Sequence, residues 1–175
     1  VSLLFKKNPV LGMVVLPSLK EIWFGVKEIG TWKEDEESPS SKRDLLAFSK
    51  RDKNTVITSK NHNNQKLKVI LAEMNFKRII QKGSIGFKIC SLLRNEGDVY
   101  ISISDKTSPK DWDVAAPHSL IENARCQFTY VSGNTLTYMD KNFEQRGCLI
   151  ASTLIESEHL KICERVKSII ETKLS

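Results

Sequence analysis

Two short stretches carry the residues most suited to chemistry. In Lys110-Asp111-Trp112-Asp113-Val114-Ala115-Ala116-Pro117, a carboxylate follows a tryptophan and precedes small residues that favour a helix. An Asp at that point can cap orphan backbone N–H groups, sit at the positive end of the helix dipole, and still offer an oxygen to a hard cation. Such a residue is more often a plain cap than a ligand, so Asp113 needs support from elsewhere. The second stretch is Gly83-Ser84-Ile85-Gly86-Phe87-Lys88. Here a glycine turn opens a helix, Ser84 is placed to cap it, to contact an anion, or both, and Lys88 stands one turn in, where a point charge adds to the anion-attracting helix N-terminus. A lone histidine, His62, lies in Ser59-Lys60-Asn61-His62, and by itself reads as a polar surface residue. His118 and His159 carry no chemical signal of their own.

The elements that must position these residues can be read from periodicity. Residues 1 to 33 form an antiparallel meander: Val1 to Phe5, a turn at Lys7-Asn8-Pro9, Val10 to Leu16, Pro17 as a breaker, and Glu21 to Val26. The acidic stretch Glu34 to Ser41 reads as an exposed loop, its carboxylates solvated rather than forming a metal cage. Beyond it, Leu45 to Phe48 is short and apolar, and Thr55 to Thr58 is a strand. Helical spacing follows over Asn63 to Met74. Then come a strand at Arg78 to Ile80, a helix Phe87 to Leu93, a strand Val99 to Ile103, and the helix headed by Asp113, from about Val114 to Asn123. Phe128 to Val131 and Leu136 to Tyr138 read as a hairpin around Ser132-Gly133-Asn134. A strand Cys148 to Ser152 and a helix Glu156 to Thr172 close the chain. Alternating strands and helices behind a meander predict a layered α/β fold, divided into residues 1–44 and a C-terminal α/β domain of residues 45–175.

With 175 residues, 40% hydrophobic and 27% charged, the chain is globular and long enough for one domain, or for one domain and part of another. No apolar run reaches the roughly 20 residues of a membrane span. The net charge of +6 is spread from Lys6 to Lys173, without an arginine-rich run or interleaved aromatics, which argues against nucleic acid as a partner. Cys90, Cys126, Cys148 and Cys163 stand far apart in apolar contexts, so buried reduced thiols in a cytoplasmic protein are expected. The opening Val1-Ser2-Leu3-Leu4-Phe5 reads as the middle of a strand, and the expectation is that the chain is cut from something longer.

The order of these pieces resembles the inositol monophosphatase superfamily of lithium-sensitive, magnesium-dependent phosphomonoesterases. Trp112-Asp113-Val114-Ala115-Ala116 is similar to that superfamily's second signature, and Val10-Leu11-Gly12-Met13-Val14 with Pro17 resembles the strand pair after its first. Ser59-Lys60-Asn61-His62, Gly83-Ser84-Ile85-Gly86-Phe87-Lys88 and Pro117 resemble features of the 3'(2'),5'-bisphosphate nucleotidase branch, the CysQ-like enzymes. The resemblance implies the C-terminal part of a layered α-β-α-β-α sandwich. It implies removal of the 3'-phosphate of adenosine 3',5'-bisphosphate, with Mg2+ as cofactor, Asp113 as metal ligand, and His62, Ser84, Lys88 and Asp113 as substrate-binding residues. Trp112 is expected to pack beneath the site. A small phosphorylated nucleotide or a polyol phosphate would be the partner, and a homodimer is an allowed assembly.

Three departures qualify that implication. The family's first signature, Asp-Pro-Ile/Leu-Asp-Gly-Thr, is nowhere in the chain, so the chain by itself is expected to be inactive. The usual Glu-Ala-Gly-Gly is Glu122-Asn123-Ala124-Arg125, and Ser102 stands where an arginine often follows the strand tyrosine. The alternatives are a polyol-phosphate phosphatase and a non-catalytic phosphate- or nucleotide-binding protein.

Overall fold

A computed structural model describes residues 1–35, 54–60, 64–140 and 142–174. The Leu45 to Phe48 segment, most of the Glu34 to Ser41 loop, and His62 lie outside them. Four strands form the first sheet, in chain order and antiparallel: β1 (Ser2–Phe5), β2 (Asn8–Leu16), β3 (Glu21–Val26) and β4 (Gly30–Asp35). Glu34 and Asp35, expected at the start of the exposed acidic loop, belong to the last of these strands, paired with Ile22 and Glu21. Lys6 and Lys7 make the first turn with φ of 47° and 63°. Pro9, expected in that turn, instead lies in β2 opposite Leu4, where the register shifts; a proline without an N–H is tolerated at such a bulge.

The second sheet is built from β5 (Thr55–Ser59), β6 (Arg78–Lys82), β7 (Val99–Ile103), β8 (Gln127–Tyr130) and β9 (Cys148–Ser152), in the spatial order β6-β5-β7-β9-β8. β6 and β7 run parallel to β5, and β9 is antiparallel to both β7 and β8. The helices α1 (Gln65–Met74) and α2 (Ile85–Leu93) serve the parallel connections, and α3 (Asp111–Asn123) and α4 (Glu156–Lys173) follow. The expected hairpin does not form: Thr135 makes a single bridge to Thr129, while β8 spends its other edge on β9. Leu136 and Tyr138 are buried instead as core side chains, 2% and 0% exposed, in the cluster that also holds residues of α3.

Side-chain alternation along β5 and β7 divides the core in two. Ile57 and Tyr100 face a cluster shared with α2, α3 and Trp23 of the first sheet. Val56, Val99 and Ile101 face the other way, against Leu67 and Ile70 of α1 and Val166 and Ile169 of α4. The layers therefore run sheet, helices, sheet, helices. α3 lies hard against the first sheet: a Cβ on Gly12 would stand 2.5 Å from the Ala116 carbonyl oxygen, and one on Gly25 would stand 2.6 Å from the Leu120 Cα. Thr31 Oγ1 donates to the Leu120 carbonyl at 2.5 Å and Ser119 Oγ to the Gly25 carbonyl at 2.9 Å, so the close approach is also hydrogen-bonded. At the far end of α2, Arg94 pairs with Glu21 of β3 at 2.6 Å and with Glu96 at 2.7 Å, tying the helix layer to the first sheet.

Candidate active site

The N-termini of α2 and α3 open onto one cavity of about 920 Å³, whose remaining walls are Met13 to Val15 of β2, the end of β7 and the loop Ser104 to Pro109. α2 begins at Ile85, two residues earlier than its periodicity suggested, because Ser84 is its N-cap: Ser84 Oγ accepts the Phe87 N–H at 3.2 Å. Gly86 is close to β2, where a Cβ would meet Val14 Cγ1 at 3.1 Å. Lys88, one turn in, is 3% exposed. Its Nζ donates to the Gly83 carbonyl at 2.7 Å and lies 5.4 Å from the Tyr100 ring centroid. Burial pushes its pKa down to about 8, so the fold holds a barely solvated ammonium group at the cavity wall.

α3 begins at Asp111 rather than Val114, which moves Asp113 from the cap into the first turn. Its Oδ2 accepts the Lys110 N–H at 2.9 Å, the backward half of a capping box. No hydrogen bond among the described residues occupies its Oδ1, and the exposed carboxylate lines the cavity. Trp112 does not pack beneath the site. It is 70% exposed and leans on Phe143, ring centroids 6.3 Å apart, because the inward position of this turn is taken by Asp111. Ser102, Ser104 and Ser108 also border the cavity, and the buried Ser104 and Ser108 hydroxyls have no partner among the described residues.

Hard oxygen donors suit magnesium, and a magnesium ion usually takes one or two protein carboxylates and completes its shell with water and phosphate. Asp113 fits as one such ligand. Among the described residues no group of three or more His, Cys, Asp or Glu side chains comes together to complete a cage. The structure thus brings Ser84, Lys88 and Asp113 to one cavity, and His62 lies outside the described residues. Sequence reasoning missed Asp111 and Gln145. Both are buried polar residues, 6% and 1% exposed, whose signal is tertiary. His118 and His159 are buried, hydrogen-bonded through Nδ1 to Tyr138 and Ser152, and pushed down to about 4 by burial, which makes them neutral core residues. The four cysteines are free and buried.

A layered α/β fold with an acidic and a basic helix N-terminus on one cavity defines a class. The chain belongs to the inositol monophosphatase family, which it matches over residues 1–171. It is similar to the mouse 3'(2'),5'-bisphosphate nucleotidase 1, with 27% identity over 118 residues, 66% of this chain and 38% of that protein. Its fold is similar to that of CysQ from Bacteroides thetaiotaomicron, a bacterial member of the family, with a TM-score of 0.73 and 23% identity over 87% of this chain and 61% of that one. It is also similar in fold to staphylococcal IMPase-II bound to 2'AMP, with a TM-score of 0.70 and 15% identity over 96% and 62% of the two chains. The chain therefore spans less than two thirds of the length of each of these relatives.

Proposed function

We propose that this chain forms the phosphate-receiving wall of a magnesium-dependent phosphomonoesterase whose substrate is adenosine 3',5'-bisphosphate. The observation that carries the reading is the joint presence of the buried Lys88 ammonium and the exposed Asp113 carboxylate on one cavity, each at a helix N-terminus. Lys88 is already desolvated, so a phosphate oxygen arriving there meets a cation that water screens poorly. Ser84 keeps the α2 N–H groups oriented toward the anion. Asp113 would hold a magnesium ion, which when bound supplies charge neutralisation at the phosphate and activation of water. The capping bond to Lys110 leaves one Asp113 oxygen for that task. His62 is assigned a contact to the nucleotide. The mouse relative supports the substrate, and the inactivity of the chain by itself follows from the missing Asp-Pro-Ile/Leu-Asp-Gly-Thr signature.

A polyol phosphate is the second reading, and Ser102 is what favours it. A hydroxyl at that position suits a sugar hydroxyl better than the second phosphate that a guanidinium would grip bidentately. Titration calorimetry of the chain with adenosine 3',5'-bisphosphate and with inositol monophosphate, each with magnesium, separates the two. The expected result is preferential binding of the bisphosphate, lost in Lys88→Ala, with no phosphate released on prolonged incubation. Preference for the inositol phosphate overturns the substrate assignment. Phosphate release by the chain itself, abolished by Asp113→Asn, overturns its inactivity.

A further inference from the structure

The first turn of α3 is held from behind by residues 137–140 and 142–145. The Asp111 carboxylate accepts the Met139 N–H on Oδ2 at 2.6 Å and the Gln145 Nε2 on Oδ1 at 2.7 Å. The same Nε2 donates its second hydrogen to the Thr137 carbonyl at 2.7 Å, and Gln145 Oε1 accepts the Tyr130 hydroxyl at 2.7 Å. Backbone bonds close the arrangement: Asp111 N–H to the Phe143 carbonyl at 2.9 Å and Gln145 N–H to the Pro109 carbonyl at 2.8 Å. Lys110 and Glu144 pair at 2.6 Å beside it. Met139 and Phe143, whose backbone groups bond Asp111, have φ of 60° and 52°, a left-handed conformation that side-chain-bearing residues rarely adopt. Strain of this kind persists only where its surroundings over-determine it.

We propose that Asp111 and Gln145 are positioning residues that fix the orientation of the Asp113 carboxylate at the cavity; the functional part of this inference rests on the reading of the cavity given above. The hydrogen-bond chain has one sense, Tyr130 to Gln145 to Asp111, with Met139 donating from the other side. It therefore requires a group at 111 that accepts twice and donates nothing, which a carboxylate satisfies and an amide of the same shape does not. Loss of the clamp frees the turn that sets the Lys110 N–H against Asp113 Oδ2.

The test uses the 15N-labelled chain and reads amide exchange at Lys110 and Met139, together with calorimetric affinity for adenosine 3',5'-bisphosphate. Asp111→Asn is expected to lower protection at both amides by about tenfold, the size of one lost hydrogen bond to a charged group, and to weaken ligand binding. Val166→Ala, in the far core, controls for a general loss of stability and should leave the Lys110 amide unchanged. Should Asp111→Asn not fold, Tyr130→Phe removes only the outermost hydroxyl and is expected to loosen the Met139 amide less, in the same direction. An unchanged Lys110 amide in Asp111→Asn, or no effect of Tyr130→Phe, overturns the clamp. A clamp confirmed by exchange in a chain that binds no bisphosphate overturns the proposed function and leaves Asp111 and Gln145 with a purely structural role.

Discussion

Two helix N-termini face the same cavity and are built in opposite ways. The first turn of α2 contains no acidic residue, is capped from outside by the Ser84 hydroxyl, and buries a lysine immediately behind it. The first turn of α3 contains Asp111 and Asp113, is capped from within by Asp113, and leaves its large aromatic, Trp112, exposed. Ser84 takes an N–H inside the first turn, that of Phe87, whereas Asp113 reaches back to the N–H of Lys110, the residue before its helix. The two termini differ in the charge left over for a ligand, positive at α2 and negative at α3. They differ also in anchoring, since α3 is seated backbone to backbone on the first sheet, whereas the N-terminus of α2 meets that sheet at Gly86 through a side chain, that of Val14.

The difference in anchoring should show the largest effect. Gly25→Ala sets a methyl against the Ser119 carbonyl and the Leu120 backbone, which have nowhere to go, and is expected to cost about 3 kcal/mol or more in urea denaturation. Gly86→Ala meets only Val14 Cγ1, and its gain of about 1 kcal/mol in helix propensity offsets the adjustment. Equal losses in the two variants would contradict the contrast.

The difference in charge should appear with pH. Because burial holds Lys88 near 8 while an unfolded lysine titrates near 10.5, the unfolded chain binds the extra proton between those values. The Lys88 contribution to stability therefore rises as pH climbs through that window, by about 3 kcal/mol in total. Lys88→Met should be more stable than the parent at pH 7.5, and the gap should narrow by pH 9.5. A gap that does not change with pH would mean that the ammonium is solvated.

The two caps should be worth the same despite their different designs. Ser84→Ala and Asp113→Ala are each expected to lower stability by about 1 kcal/mol, measured by thermal melting, and only the second should abolish protection of the Lys110 amide. Trp112→Ala, at the exposed position of the α3 turn, should stay within about 0.5 kcal/mol of the parent. A larger loss would place Trp112 in the packing that the structure denies it.

The elements were legible where local pattern and burial agree. The closing helix, read as Glu156 to Thr172 and found as Glu156–Lys173, repeats its buried residues at His159, Cys163, Val166 and Ile169, a spacing that only a helix face explains. The strand Val99 to Ile103 was read at its observed bounds. The hairpin around Gly133 failed because its turn chemistry is local, whereas Leu136 and Tyr138 are drawn into the core shared with α3, which leaves one bridge to β8. Pro9 was misplaced for a related reason, since a register shift in the partner strand is what lets a proline enter β2.

At the site, Ser84, Lys88 and Asp113 could be picked out from the chain because glycine turns, caps and a charge one turn into a helix are local arrangements that residue type dictates. Asp111 could not. It reads as one more acid beside Trp112, and only the folding of Gln145, 34 residues away, onto its carboxylate reveals it. The orientation of Trp112 was decided in the same way, by which of two neighbouring side chains found buried partners. Local pattern alone named most of the strands and helices, the two helix N-termini and the kinds of group they carry, because hydrogen-bond capping and hydrophobic period act over a few residues. The tertiary structure alone decided that both termini open onto one cavity, that Lys88 loses its water and that Asp111 is clamped, because burial and long-range pairing depend on neighbours that no local spacing names.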